Sequence, residues 1–171
     1  MITSIHKHYL KQKGVSLRSV WQDPWHFVAC GFGLGTCPIV PGTVGTALGV
    51  LIAWFLSPLT WYLYLSVTLI LLIFGAYICG RFNRDVGTDD HPAAVFDEVA
   101  SFPLVMLGVP FCARYVIVGF LLFRVLDMLK PPPISWVDQH IKGGLGVMLD
   151  DVVAALGAWC VVFAWSHFFS I

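Results

Sequence analysis

The chain has 171 residues, 58% of them hydrophobic and only 12% charged, with a formal net charge of zero. An ordinary soluble domain carries roughly a quarter charged residues, and a nucleic-acid-binding one adds a basic patch, so neither a soluble fold nor a nucleic-acid partner fits. The placement of the charges gives the class that remains: from Phe27 to Gly80 there is no Asp, Glu, Lys or Arg, more than twice the roughly 20 residues that one membrane-spanning helix needs.

In chain order, residues 1–22 form a polar, basic stretch without a signal-peptide cleavage pattern and read as a retained cytoplasmic N-terminal segment. Residues 23–171 read as one integral-membrane domain. Its first apolar segment, 43–56, is short and is broken by Ser57-Pro58. The second, 61–80, is long enough to span. The third, 97–107, ends at Gly108-Val109-Pro110, and the fourth, 114–130, is stopped by Pro131-Pro132-Pro133. The fifth runs over 151–168. The expected fold class is therefore all-α, a polytopic membrane helical bundle of about five segments, or four if the first is a re-entrant hairpin.

The bias of Lys and Arg towards the cytoplasm orients the bundle. Five crossings from a cytoplasmic N-terminus put Lys7, Lys11, Lys13, Arg18, Arg81, Arg84, Arg124, Lys130 and Lys142 on that side, with Arg114 alone opposite. Every acidic residue falls on the cytoplasmic side as well, so the active site is expected at that face. Cys30, Cys37, Cys79, Cys112 and Cys160 show no CxxC or zinc spacing and read as reduced packing residues.

Three sets of polar residues stand out against this background. Arg124, Asp127 and Lys130 recur at i, i+3 on one stripe of the fourth segment, where they can point at one ligand. The plain alternative is that the two cations serve the positive-inside rule and Asp127 neutralises them. Asp97-Glu98 and Asp150-Asp151 each open an apolar run, where capping would account for one acid of each pair. Together with Asp127, and with Asp138 nearby, they also form a set of oxygen ligands suited to a hard cation such as Mg2+.

Two glycine-rich stretches, 31–46 and 142–146, are not expected to be regular helix throughout. In the first, backbone N–H groups and the hydroxyls of Thr43 and Thr46 could receive phosphate oxygens at a helix N-terminus; close helix packing is the alternative. Trp25-His26 reads as a headgroup-level pair, and His91 as either a proton-transfer group or a solvated loop residue.

Asp23-Pro24-Trp25-His26, the Pro-Ile-Val-Pro-Gly-Thr centre of 31–46, Val95-Phe96-Asp97-Glu98, Phe123-Arg124-x-x-Asp127-x-x-Lys130-Pro131 and Gly143-Gly144-x-Gly146-Val147-Met148-x-Asp150-Asp151 together resemble the bacterial phosphatidylglycerophosphatase A family. The resemblance covers 23–155 in the same order. Thr46 stands where the family commonly has serine, and Ser101 where a glycine often follows the Asp-Glu pair; both changes keep a small residue and bear on substrate tuning.

The resemblance implies a phosphatidylglycerophosphatase, a Mg2+-dependent phosphoric monoester hydrolase of the bacterial inner membrane that makes phosphatidylglycerol in phospholipid biosynthesis. It implies Asp97, Glu98, Asp127, Asp150 and Asp151 as catalytic and metal-binding residues. Arg124 and Lys130 become the catalytic, phosphate-facing cations; His26, Thr43 and Thr46 are expected on the substrate from the reading of the residues themselves. A phosphatase for another phospholipid headgroup and a small membrane transporter are the competing classes. The partners expected are the lipid substrate and the bilayer.

Overall fold

The structure is a computed structural model that describes residues 17–168. Most of the expected segment 1–22, including Lys7, Lys11, Lys13 and the Arg18 side chain, lies outside the described residues. Every regular element among them is helical: α1 (Leu17–Gln22), α2 (Pro24–Ala29), a 3-10 turn (Leu34–Thr36), α3 (Pro41–Leu56), α4 (Trp61–Val86), α5 (Phe96–Val105), α6 (Ala113–Leu129), α7 (Ile134–His140) and α8 (Gly143–Phe168).

Among the described residues, helices α4 and α8, of 26 residues each, are the two that are long and apolar enough to cross a membrane. At 1.5 Å per residue each reaches about 39 Å. Their outer faces stay apolar: Leu69, Ile70, Ile73 and Tyr77 on α4 are exposed, as are Ile117, Leu121, Val125 and Met128 on α6. The spacing of three and four residues makes continuous outward stripes of the kind that a water-soluble monomer does not present.

Helix α5 is the hub. All of its residues except Glu98 are buried, and α3, α4 and α8 pack around it, with α6 completing the ring. The α3–α5 contact is backbone-close because α3 presents glycines: a Cβ on Gly49 would lie 2.7 Å from Phe102 Cβ, and one on Gly45 2.9 Å from the Val95 carbonyl oxygen. Pro103 sits inside α5 and cannot donate a helix hydrogen bond. Its carbonyl accepts instead from Tyr64 Oη of α4 at 2.8 Å. Trp159 Nε1 of α8 donates to the Leu107 carbonyl just beyond the helix, also at 2.8 Å. These two bonds fix the end of α5 remote from the charged residues.

The sequence-based boundaries need correction in two places. Residues 143–146, expected to interrupt a helix, are the first turn of α8. The cost of about 1 kcal/mol for each helical glycine is outweighed by packing, since a Cβ on Gly144 would lie 2.1 Å from the Ala76 carbonyl oxygen and 2.6 Å from Gly80 Cα. The helix α8 therefore begins eight residues earlier than expected, and Asp150-Asp151 lie in its third turn rather than at its start. The second apolar segment likewise continues past Gly80 to Val86. The short helix α7, after the proline run, was not expected.

Candidate active site

The early start of α8 and the short length of α5 together create a recess. Asp151 lies eight residues, about 12 Å, below the start of α8, level with the first turn of α5, which carries Asp97 and Glu98. Arg124 and Asp127 come from the last two turns of α6. Lys130 caps that helix in the left-handed conformation, with φ 44°. All seven residues (Asp97, Glu98, Arg124, Asp127, Lys130, Asp150 and Asp151) line one cavity of about 310 Å³, together with Val40, Pro41 and Gly42 at the start of α3, and Asp90, Pro92, Ala94, Met128 and Val147. A second cavity of similar size at the opposite end, around Ser57, Trp61, Tyr64 and Phe111, is lined by no Asp, Glu, Lys, Arg or His.

Within the recess the cations are held by carboxylates. Arg124 Nη1 donates to Asp127 Oδ2 at 2.6 Å and lies 3.5 Å from Glu98 Oε1. The Lys130 ammonium bonds Asp138 of α7 at 2.6 Å and also the buried Asp150 of α8. Burial works against the charge of Lys130, but these two bonds outweigh it and hold the lysine above its usual pKa.

Asp97 and Asp151 have no ion-pair partner among the described residues, and Glu98 meets only Arg124 Nη1, at 3.5 Å. One carboxylate oxygen from each of Asp97, Glu98 and Asp151 lies within 4.8 Å of the other two. Among the described residues three buried side-chain polar atoms lack a hydrogen-bond partner: Glu98 Oε2, Asp151 Oδ2 and Arg124 Nε. All three belong to this cavity. Buried polar atoms are nearly always paired, so two orphaned carboxylate oxygens beside an orphaned guanidinium N–H leave room for a cation and an anion. At Mg–O distances of about 2.1 Å, two oxygens on one Mg2+ stand roughly 3–4 Å apart. The all-oxygen donor set and its spacing fit that ion.

Glycine at position 42 is part of the same geometry. A Cβ there would lie 2.2 Å from Glu98 Oε1 and 3.0 Å from Arg124 Nη2, so α3 can rest against the Glu98–Arg124 pair only without a side chain. Sequence reasoning noticed the glycine-rich stretch but not this contact, nor the position of Asp90 at the cavity wall. Asp138, a marginal candidate by sequence, supports Lys130.

Other expected residues are placed elsewhere. His26 is buried in α2, with Nε2 3.0 Å from Asp85 Oδ2 and its ring against Phe82; it is not among the residues lining the cavity. Thr43 does not line it either, and the buried Thr46 hydroxyl donates to the Gly42 carbonyl at 2.9 Å. His91 is buried rather than solvated, and its Nδ1 accepts the Ala93 N–H at 3.1 Å. Asp23, His26 and Asp85 form a second group of possible ligands, running from the buried His26 to the exposed Asp85, but Arg81 lies 3.8 Å from Asp23 and 3.7 Å from Asp85.

Residues 27–166 match the family model described as Phosphatidylglycerophosphatase A. The chain is 39% identical over 135 residues to the phosphatidylglycerophosphatase A of Escherichia coli (strain K12), covering 78% of both proteins. It is 38% identical over 147 residues to that of Haemophilus influenzae, covering 83% of this chain and 88% of the relative. A Bacteroides thetaiotaomicron protein named provisionally as a phosphatidylinositol-3-phosphatase is 34% identical over 143 residues, 79% of this chain and 89% of its own. No solved structure gives a significant match.

Proposed function

Because this chain belongs to the phosphatidylglycerophosphatase A family, we propose that it removes the terminal phosphate of phosphatidylglycerophosphate to leave phosphatidylglycerol, with the reaction carried out in the recess between α3, α5, α6 and α8. The observation that carries the assignment of the site is the convergence there of every buried, unpartnered side-chain polar atom among the described residues.

Six carboxylates and two cations line the recess, a formal excess of four negative charges that would repel a phosphate. Asp97, Glu98 and Asp151 would hold Mg2+, with Asp127 and Asp150 adjoining them. When bound, the ion supplies the positive charge that lets a phosphate approach these acids and polarises the ester towards attack. The protein's own part is positioning and charge neutralisation, which is most of what phosphoryl transfer requires.

Asp127 occupies Nη1 of Arg124 and so turns the free Nε edge of the guanidinium towards the phosphate, where it can donate to the equatorial oxygens. Lys130, clamped by Asp138 and Asp150, adds a second fixed positive charge to the cavity lining. Gly42 keeps α3 from displacing Glu98 and Arg124. A water held in the recess, or one of the aspartates, attacks phosphorus in line with the departing glycerol oxygen.

In this reading α4 and α8 span the bacterial inner membrane at full length, the shorter α3, α5 and α6 complete a five-segment bundle between them, and the recess lies on the cytoplasmic side. The apolar outer stripes of α4 and α6 and the gathering of charges at one end support this placement, since Arg114 is the one charged residue of the opposite end among those described. A transporter would be expected to carry charges along a path through the bilayer.

Phosphate release from the purified protein, given phosphatidylglycerophosphate, phosphatidic acid and phosphatidylinositol 3-phosphate in parallel, tests the reading. Preference for phosphatidylglycerophosphate is expected. Preference for the inositol lipid would move this chain to the chemistry named for the Bacteroides relative.

A further inference from the structure

The walls of the recess are not alike. Its floor is formed by the acids and Arg124, but on one side, where the start of α3 meets the last turn of α6, the lining residues are Val40 and Met128, which are 57% and 69% exposed. Ile39 and Leu129 flank them at 72% and 75% exposure. Asp90 and Pro92, also exposed, line the cavity from the α4–α5 loop. One cavity therefore has a charged floor, an apolar flank and a polar flank.

Val40 carries a second mark. It is the N-cap of α3 in the left-handed conformation, with φ 47° and ψ 56°, which is a genuine outlier for a β-branched residue. Lys130, at the end of the facing helix, is left-handed too. Strained backbone of this kind is kept where the surroundings impose it and tends to cluster at functional sites. Here both left-handed residues line the recess, and the Val40 side chain is exposed.

We infer that the gap between Val40 and Met128 is the portal through which the glycerol backbone and acyl chains of the substrate lipid leave the recess for the bilayer, while the Asp90 flank opens to water and releases inorganic phosphate. This rests on the lipid-phosphatase reading above and adds the route of the lipid. The occupant follows from continuity: the cavity that holds the charged floor also holds Val40 and Met128, so a lipid whose phosphate reaches Arg124 must extend past one of the two flanks. Acyl chains that take the apolar flank stay in hydrocarbon, whereas the Asp90 flank would expose them to water at a cost that grows with every methylene.

The test compares two substrates: phosphatidylglycerophosphate in mixed micelles and its deacylated headgroup in solution. Val40→Asn keeps a residue that tolerates the left-handed conformation, and Met128→Gln keeps length, so the double variant removes apolar surface with little change of shape. The advantage of the lipid over the deacylated headgroup in kcat/KM should fall about tenfold, through KM. Leu145→Gln, an exposed apolar position at the same end of the bundle that does not line the cavity, should leave that advantage unchanged.

Photolabelling supplies a readout independent of turnover. Phosphatidylglycerol carrying a diazirine near the glycerol should label Val40 and Met128, and excess phosphatidylglycerophosphate should compete it away, whereas labelling at Leu145 should not be competed. An unchanged lipid advantage in the double variant, or uncompeted labelling at Val40 and Met128, overturns the portal. Absence of phosphate release from either substrate in the unaltered protein would instead refute the phosphatase reading, and competed labelling would still support the portal.

Discussion

Replacing Arg124 by lysine separates recognition of phosphate from mere placement of a positive charge. The substitution keeps the charge, the helix propensity and the cytoplasmic bias of α6, so insertion and folding should survive. In the structure Nη1 is committed to Asp127 at 2.6 Å and Nε is buried without a partner. Lysine can keep the bond to Asp127 with its single ammonium but has no second edge to offer. The loss is then one or two hydrogen bonds to a charged phosphate, each worth about 1.5–3 kcal/mol. If they form mainly in the transition state, the cost is about 2–4 kcal/mol, or roughly thirty- to a thousand-fold in turnover. Phosphate release by equal amounts of inserted protein measures it. The control is Arg114→Lys at the far end of α6, where the guanidinium lies only over the Tyr115 ring at 4.6 Å and the change should be nearly silent. Near-normal activity in Arg124→Lys would refute the reasoning and leave Arg124 as an anchor of its helix.

Gly42→Ala should reduce turnover at least about tenfold, because its Cβ would lie 2.2 Å from Glu98 Oε1; unchanged kinetics would show that the Glu98–Arg124 pair can shift without consequence. Asp97→Asn and Asp151→Asn should each abolish turnover while leaving helix content unchanged by circular dichroism. Neither variant should show the gain of about 2.7 kcal/mol in thermal stability expected of the unaltered protein at a hundred times its Kd for Mg2+. Retained activity with the same Mg2+ dependence would make the residue structural. A cysteine placed at Gly87, in a background free of Cys30, Cys37, Cys79, Cys112 and Cys160, should resist an impermeant thiol reagent in intact cells. Labelling there would reverse the proposed orientation.

Much of the helical order is legible in the sequence because prolines and isolated charges punctuate long apolar runs. Pro58, Pro110 and the 131–133 run each fall in a connection between helices. Seven of the eight charged residues that line the recess, all but Asp90, were conspicuous because few others interrupt apolar segments, and helical spacing alone brings Arg124 and Asp127 to one face. The start of α8 was not legible: three glycines in four residues read locally as a break, and only the approach of Gly144 to the Ala76 carbonyl, 68 residues away in the chain, makes them helical. That error placed Asp150-Asp151 at a helix start and lent them a capping role that their depth in α8 removes. Likewise Thr46 reads as a free hydroxyl until its bond to the Gly42 carbonyl is seen, and the pairing of His26 with Asp85 joins residues 59 positions apart.

Anomalous diffraction from crystals of the protein soaked in Mn2+ would test most directly whether the recess is a metal-dependent phosphatase site. The account predicts a peak enclosed by Asp97, Glu98 and Asp151, at about 2.1–2.2 Å from one oxygen of each, with the Arg124 Nε edge facing the open side. A peak at Asp23, His26 and Asp85 instead, or none within reach of Asp151, would contradict it.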